Sequence, residues 1–230
     1  MDYMNTQYMY TKNKVVIFGV SDNSELAHFY LTNDSDYEVV AFTVNKNYIK
    51  DETFKSLPVV PFEELESFYP STEFLLFAPL SGIKMNTFRK KIYEDGKNRG
   101  YSFATYISSK VTMFNNQIGD NCFILEDNTI QPFTTIGNNV IMWSGNHIGH
   151  HGKVGDHVFF TSHVVLSGRC IVGDYCFFGV NATIRDKSTI GEGTLVAMGA
   201  NVTRQKTDPW SIWKGNPAEK ASLSSKDIKI

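Results

Sequence analysis

At 230 residues the chain is long enough for one large domain or two modest ones, and a composition 42% apolar and 20% charged supports a well-filled core. Its 22 basic and 24 acidic residues leave a formal charge of −2, which removes the electrostatic case for a nucleic-acid or anionic-membrane partner. Three cysteines, Cys122, Cys170 and Cys176, are too few and too irregularly spaced for a disulfide framework or a zinc knuckle.

Residues 1–13 are polar and lack an apolar run, so they read as a flexible tail and not as a signal peptide. No later stretch is long enough to span a bilayer, and the expected location is the cytoplasm. Residues 14–108 alternate strand and helix signals. Strands are expected over Lys14–Val20, Glu38–Thr43, Leu57–Pro61 and Glu73–Ala78, with helices over Ser24–Leu31, Phe62–Phe68 and, charged and amphipathic, Lys84–Arg99. That order predicts a small doubly wound, Rossmann-like α/β domain. Its first turn, Gly19-Val20-Ser21-Asp22-Asn23, is not G-x-G-x-x-G, which argues against NAD.

From Ile118 the pattern changes. An apolar residue recurs at every sixth position through Ile124, Ile130, Ile136, Met142, Ile148, Val154, Phe160, Leu166, Val172, Phe178, Ile184, Ile190, Val196 and Val202. So long an unbroken series arises by chance roughly once in 10⁵ to 10⁶ trials, which makes the repeat real. Glycine often follows the apolar residue, as at 119, 137, 149, 155, 173, 179 and 191, and a small or slim residue often stands four places after it. Neither an amphipathic helix nor an alternating strand has a period of six. A triangular prism does: three short strands per coil of about 18 residues, coils stacked about 4.8 Å apart, aliphatic residues inside and glycine expected at the tight corners. All three cysteines fall on the small inward position, where a thiol is filler. The chain thus divides into an α/β domain (14–108), an all-β parallel β-helix (109–207) and a capping tail (208–230). Trp143, Phe133 and Phe159 are expected on outer faces that one subunit alone leaves wet.

With this repeat over residues ~112–205 the sequence resembles the hexapeptide-repeat, left-handed β-helix acyltransferases. That resemblance implies a homotrimer with its sites between subunits.

Five of the six histidines, His147, His150, His151, His157 and His163, lie within 17 residues, none at the inward aliphatic position. They are expected on the outside or the corners of the prism, gathered as titratable groups at an interface cleft are. Zinc hydratases of the same solenoid need histidines about two coils apart, and no pair here has that spacing, so no metal is expected. Imidazole, with a pKa near 6.5, suits a general base for acyl transfer near neutral pH. The segment His150-His151-Gly152-Lys153-Val154-Gly155 resembles the signature of nucleotide amino-sugar N-acetyltransferases and sialic-acid-type sugar O-acyltransferases: histidine, an acid, two variable residues, an aliphatic and glycine. On that resemblance His150 is the catalytic base and His151 its orienting partner, in place of the usual acid. His163, with Asn181 one coil later, is the reserve for the base or a substrate contact.

The same resemblance places acetyl-CoA between subunits on backbone groups of Gly168, Val180, Ala197 and Met198. Arg204, Lys206, Lys214 and Lys220 are offered to its phosphates, and the tail containing Gly215-Asn216-Pro217-Ala218 caps the last coil. The acceptor implied is a nucleotide-linked amino sugar of surface-polysaccharide synthesis, held at Ser21, Asp22 and Asn23. This turn lacks the second glycine and the histidine usual in those relatives. Sugar O-acetylation and a non-catalytic, ligand-binding β-helix stand as the alternatives.

Overall fold

The computed structural model describes residues 13–203 and 205–228; the expected tail before Asn13 and Arg204 lie outside these residues. The amino-terminal unit contains β1 (Lys14–Phe18), α1 (Asp22–Asn33), β2 (Glu38–Val44), β3 (Thr53–Phe54), β4 (Leu57–Pro61), α2 (Leu65–Phe68), β5 (Leu75–Phe77) and α3 (Thr87–Asn98). The sheet order is β3-β4-β2-β1-β5, parallel except where β3 turns back on β4. Near-continuous apolar runs such as KVVIF and EVVAFTV are what a parallel strand covered on both faces needs. Between β1 and α1 the chain turns at Gly19, whose φ is +115° and where a Cβ would stand 2.5 Å from Ser24 Oγ. α3 starts at Thr87, later than the charge pattern predicts, because Lys84, Met85 and Asn86 all have positive φ.

The second unit is a three-sided parallel β-helix built from very short strands. Each strand pairs with the one a full coil further on, as Ile141 does with Phe159, His147 with Val165 and Lys153 with Ile171. Its first face runs from Tyr106–Ile107 through Phe123–Ile124, Ile141–Met142, Phe159–Phe160, Phe177–Phe178 and Leu195–Val196 to Ser211–Lys214. The second face includes His147–Ile148, Val165–Leu166 and Thr183–Ile184, the third Lys153–Val154 and Ile171–Val172. The period-six residues fill the prism, with Phe160 and Phe178 stacked at 4.7 Å and 5°, and Trp213 and Ala218 plug its carboxy-terminal end. The cysteines are buried filler; burial pushes the Cys122 and Cys176 thiols up to about 12.

One expectation is corrected. The glycines after the aliphatic residue do not make the corners. The corner residue lies three places after the aliphatic and has positive φ with a side chain attached, as at Asn121, Phe133, Asn139, His151, His157, His163, Arg169, Tyr175, Asn181 and Lys187. Asn and His tolerate this region better than most side chains. The glycines directly after the aliphatic instead let coils stack: a Cβ on Gly137 would lie 2.6 Å from Gly155 O, and one on Gly173 2.7 Å from Glu192 N.

The α/β unit covers the first face because the outward residues there, Phe123, Ile141 and Phe159, are apolar; they are buried with Tyr106 and residues of β1 and α1. Phe159 is therefore covered within the chain and is not part of a wet outer surface, whereas Phe133 is 74% exposed. Arg89 of α3 is fully buried and pins the units together. Its guanidinium donates to Asn139 O, to Asn86 Oδ1 at 3.0 Å and to His157 O at 3.0 Å. No helix of the described residues is long and apolar enough to cross a membrane.

Candidate active site

One turn of the coil scatters a cluster that the sequence holds together. The first edge, between the first and second faces, carries His163. The second edge carries His150 and His151, and the third edge carries His157. His147 lies on the outward side of the second face. Within one chain the histidines thus occupy three edges. Among the described residues no group of three or more His, Cys, Asp or Glu is arranged to hold a metal ion.

His157 is structural. It is 6% exposed and wedged beneath α3. Its Nδ1 accepts from Asn139 Nδ2 at 2.8 Å, and its ring stacks on Tyr175 at 5.2 Å. Burial, and then the Arg89 guanidinium beside it, push its pKa down to about 4, so it is neutral at pH 7. Tyr175 in turn stacks on Trp210, which fills the rung left open by Gly193.

The second edge is open to solvent. His150 and His151 are exposed, and their Nδ1 atoms are 3.0 Å apart with the rings at 89°. Two neutral imidazoles make that contact only if one Nδ1 donates and the other accepts; when His150 donates, its Nε2 keeps a lone pair. The His150 backbone is fixed by its own N–H to Gln131 Oε1 at 3.0 Å and by its carbonyl, which accepts from Arg169 N at 2.7 Å. One coil below, a Cβ on Gly168 would stand 2.8 Å from His150 Nε2. The missing side chain is therefore the notch in which that nitrogen sits. Gly168 is half-buried, and its backbone N–H makes no hydrogen bond among the described residues. A base and an unused backbone donor thus adjoin one gap, which is what acyl transfer requires.

The remaining expected donor-binding residues lie elsewhere. Val180, Ala197 and Met198 follow the first face onto the first edge, the edge that carries His163. Met198 is 76% exposed, but the Ala197 N–H is already given to Trp213 O at 2.9 Å and is not available to a ligand. A single chain therefore does not bring Gly168 together with Val180, Ala197 and Met198. The His163 ring leans over Gly145 and its nitrogens have no hydrogen-bond partner among the described residues. Ser21, Asp22 and Asn23 form the amino-terminal end of α1: Ser21 N donates to Ser24 Oγ at 3.5 Å, and two acidic residues, Asp22 and Glu25, stand in the first turn.

Of the cations offered to phosphates, Lys220 is paired with Asp208 at 2.8 Å and Lys214 ends a strand of the first face. The exposed cations that continue the His150 edge are Arg169 and Lys187, which the sequence reading did not single out. It also passed over Gln131, and it named Phe133 only as an aromatic on an outer face. Their signal was the coil period, which sets Phe133 one coil before His151 and Gln131 against the His150 backbone.

Residues 117–150 match the family described as Bacterial transferase hexapeptide (six repeats). No curated protein matches the chain in sequence. Among solved structures, it resembles a mutant of perosamine N-acetyltransferase from Caulobacter crescentus in complex with CoA and GDP-perosamine. That match has 20% identity and a TM-score of 0.80, over 92% of this chain and 98% of that one. The acetyltransferase domain of PglB from Neisseria gonorrhoeae FA1090, in complex with acetyl coenzyme A, is 18% identical with a TM-score of 0.80, over 91% and 100% of the two chains. WeeI from Acinetobacter baumannii AYE is 20% identical with a TM-score of 0.76, over 90% and 99%. The chain carries the bacterial-transferase hexapeptide repeat and has the fold of these proteins, a small α/β domain followed by a left-handed parallel β-helix.

Proposed function

We propose that the chain is an acetyl-CoA-dependent N-acetyltransferase acting on a nucleotide-linked amino sugar by direct transfer, with His150 as general base. The observation that carries this is the second edge, where His150 Nε2 faces the notch at Gly168 while His151 holds its Nδ1. Bound acetyl-CoA supplies an activated acetyl thioester. Gly168 N–H donates to the thioester oxygen as negative charge develops there, and His150 Nε2 removes the proton from the attacking amine. The proton then leaves with the thiol. Among the described residues all three cysteines are buried inside the prism, so no thiol of the protein is placed to carry the acetyl group.

The donor groove is completed by a second copy, in a homotrimer, whose first edge brings His163, Val180 and Met198 opposite His150 and Gly168. Exposed Val165 and Ile171, which flank the second edge, support that packing. The fit to solved structures bound to CoA, acetyl-CoA and GDP-perosamine supports the choice of ligands, and the sugar is held between the α/β domain and this groove. The setting that goes with this reading is cytoplasmic synthesis of surface polysaccharide.

The test pairs amino and hydroxy sugar nucleotides of matched structure with acetyl-CoA, alongside calorimetry with acetyl-CoA and sedimentation of the protein. Acetylation of the amine by a trimer is the expected result. Transfer to the hydroxy sugar alone would make the chain an O-acetyltransferase. Absence of acetyl-CoA binding would leave a non-catalytic β-helix.

A further inference from the structure

The second edge repeats one backbone conformation once per coil: Asn115, Phe133, His151, Arg169 and Lys187 all have positive φ. The coils are tied there, His151 N donating to Pro132 O at 3.2 Å, so a ring on one coil is carried directly against the ring on the next. Phe133 and His151 have ring centroids 4.6 Å apart and planes 41° apart. The other contact of the His151 ring is with His150, through the two Nδ1 atoms. No carboxylate meets His151 among the described residues, so ring packing must hold it where a charge does not.

We propose that Phe133 is a positioning residue. It fixes the plane of His151, so that His151 Nδ1 accepts the His150 Nδ1 proton and the His150 Nε2 lone pair stays at the Gly168 notch. This rests on the reading of His150 as the base. The third edge repeats the arrangement: the His157 ring stacks on Tyr175 with its Nδ1 in a hydrogen bond. Without Phe133, His151 can turn its Nδ1 away. His150 is then free to put its proton on Nε2, the tautomer that cannot act as base at the notch.

The experiment compares Phe133→Ala and Phe133→Tyr with the wild type and with His151→Ala, by steady-state kinetics and by ¹⁵N-imidazole spectra of the intact protein. Phe133→Ala should lower kcat between about twofold and tenfold, the range of one aromatic contact, with both KM values unchanged. Phe133→Tyr should restore it, and Phe133→Ala should add nothing to His151→Ala. In the spectra, His151 should lose its ring-current shift and His150 should show a mixture of tautomers. A raised acceptor KM at unchanged kcat would overturn the proposal, because Phe133 would then touch the acceptor. Unchanged kcat and spectra would overturn it as well. Full activity in His150→Ala would instead sink the base assignment itself, a result separable from an inactive His150→Ala beside an unaffected Phe133→Ala.

Discussion

The second and third edges of the prism use the same corner conformation and the same residue types, and do different things with them. Each places a histidine at positive φ with an aromatic ring one coil away, Phe133 against His151 and Tyr175 against His157. On the third edge α3 covers the histidine, Arg89 supplies a cation beside it, and Asn139 occupies its Nδ1. On the second edge nothing among the described residues covers the pair, and Gly168 leaves room beside Nε2. The repeat therefore supplies the geometry on both edges, and the docked α/β unit decides which histidine is buried and which is left for chemistry.

The largest expected break in that comparison is His150→Ala, which should lower kcat by roughly 10²–10⁴ while acetyl-CoA affinity stays within a few-fold, because a base acts in the transition state. His157→Ala should not reproduce this split. The third edge should show its role in stability. With the folded pKa at about 4 against 6.5, the unfolded state binds more protons between those values. Stability must then fall as pH drops through that window, by roughly 3 kcal/mol at most. His157→Gln should flatten that limb of an acid-unfolding curve followed by fluorescence; an unaltered limb would refute the assignment. Gly168→Ala, which puts a methyl group against His150 Nε2, should cost on the order of tenfold to a hundredfold in kcat/KM, a displaced catalytic group being expensive. A smaller effect is expected from His151→Ala, about tenfold in kcat, since a neutral imidazole orients and does not supply charge; Phe133→Ala, which acts through it, should cost no more.

The solenoid was legible because its period of six belongs to no other element, and the aliphatic series from Ile124 to Val202 lines the prism as that period requires. The corners were not, because positive φ was looked for at glycine while the chain places Phe133, His151, Arg169 and Tyr175 there. Proximity in sequence misled for the histidines, since one turn of the coil carries His150 and His163 to different edges. Arg89 stood in a helix that read only as charged and amphipathic. Besides Asn86, its partners are on Asn139 and His157, 50 and 68 residues away, and nothing in its own segment announces those two. His150 and Gly168 were both named for function, but that they share one notch follows only from the stacking of one coil on the next.

The most direct test of the account is the structure of the wild-type protein with CoA and an amino-sugar nucleotide bound together. The prediction is a CoA thiol beside the Gly168 N–H, with the sugar amine within hydrogen-bonding distance of His150 Nε2 and the third edge bare. A thiol and amine that meet away from His150, at His163 or under α3, would contradict it.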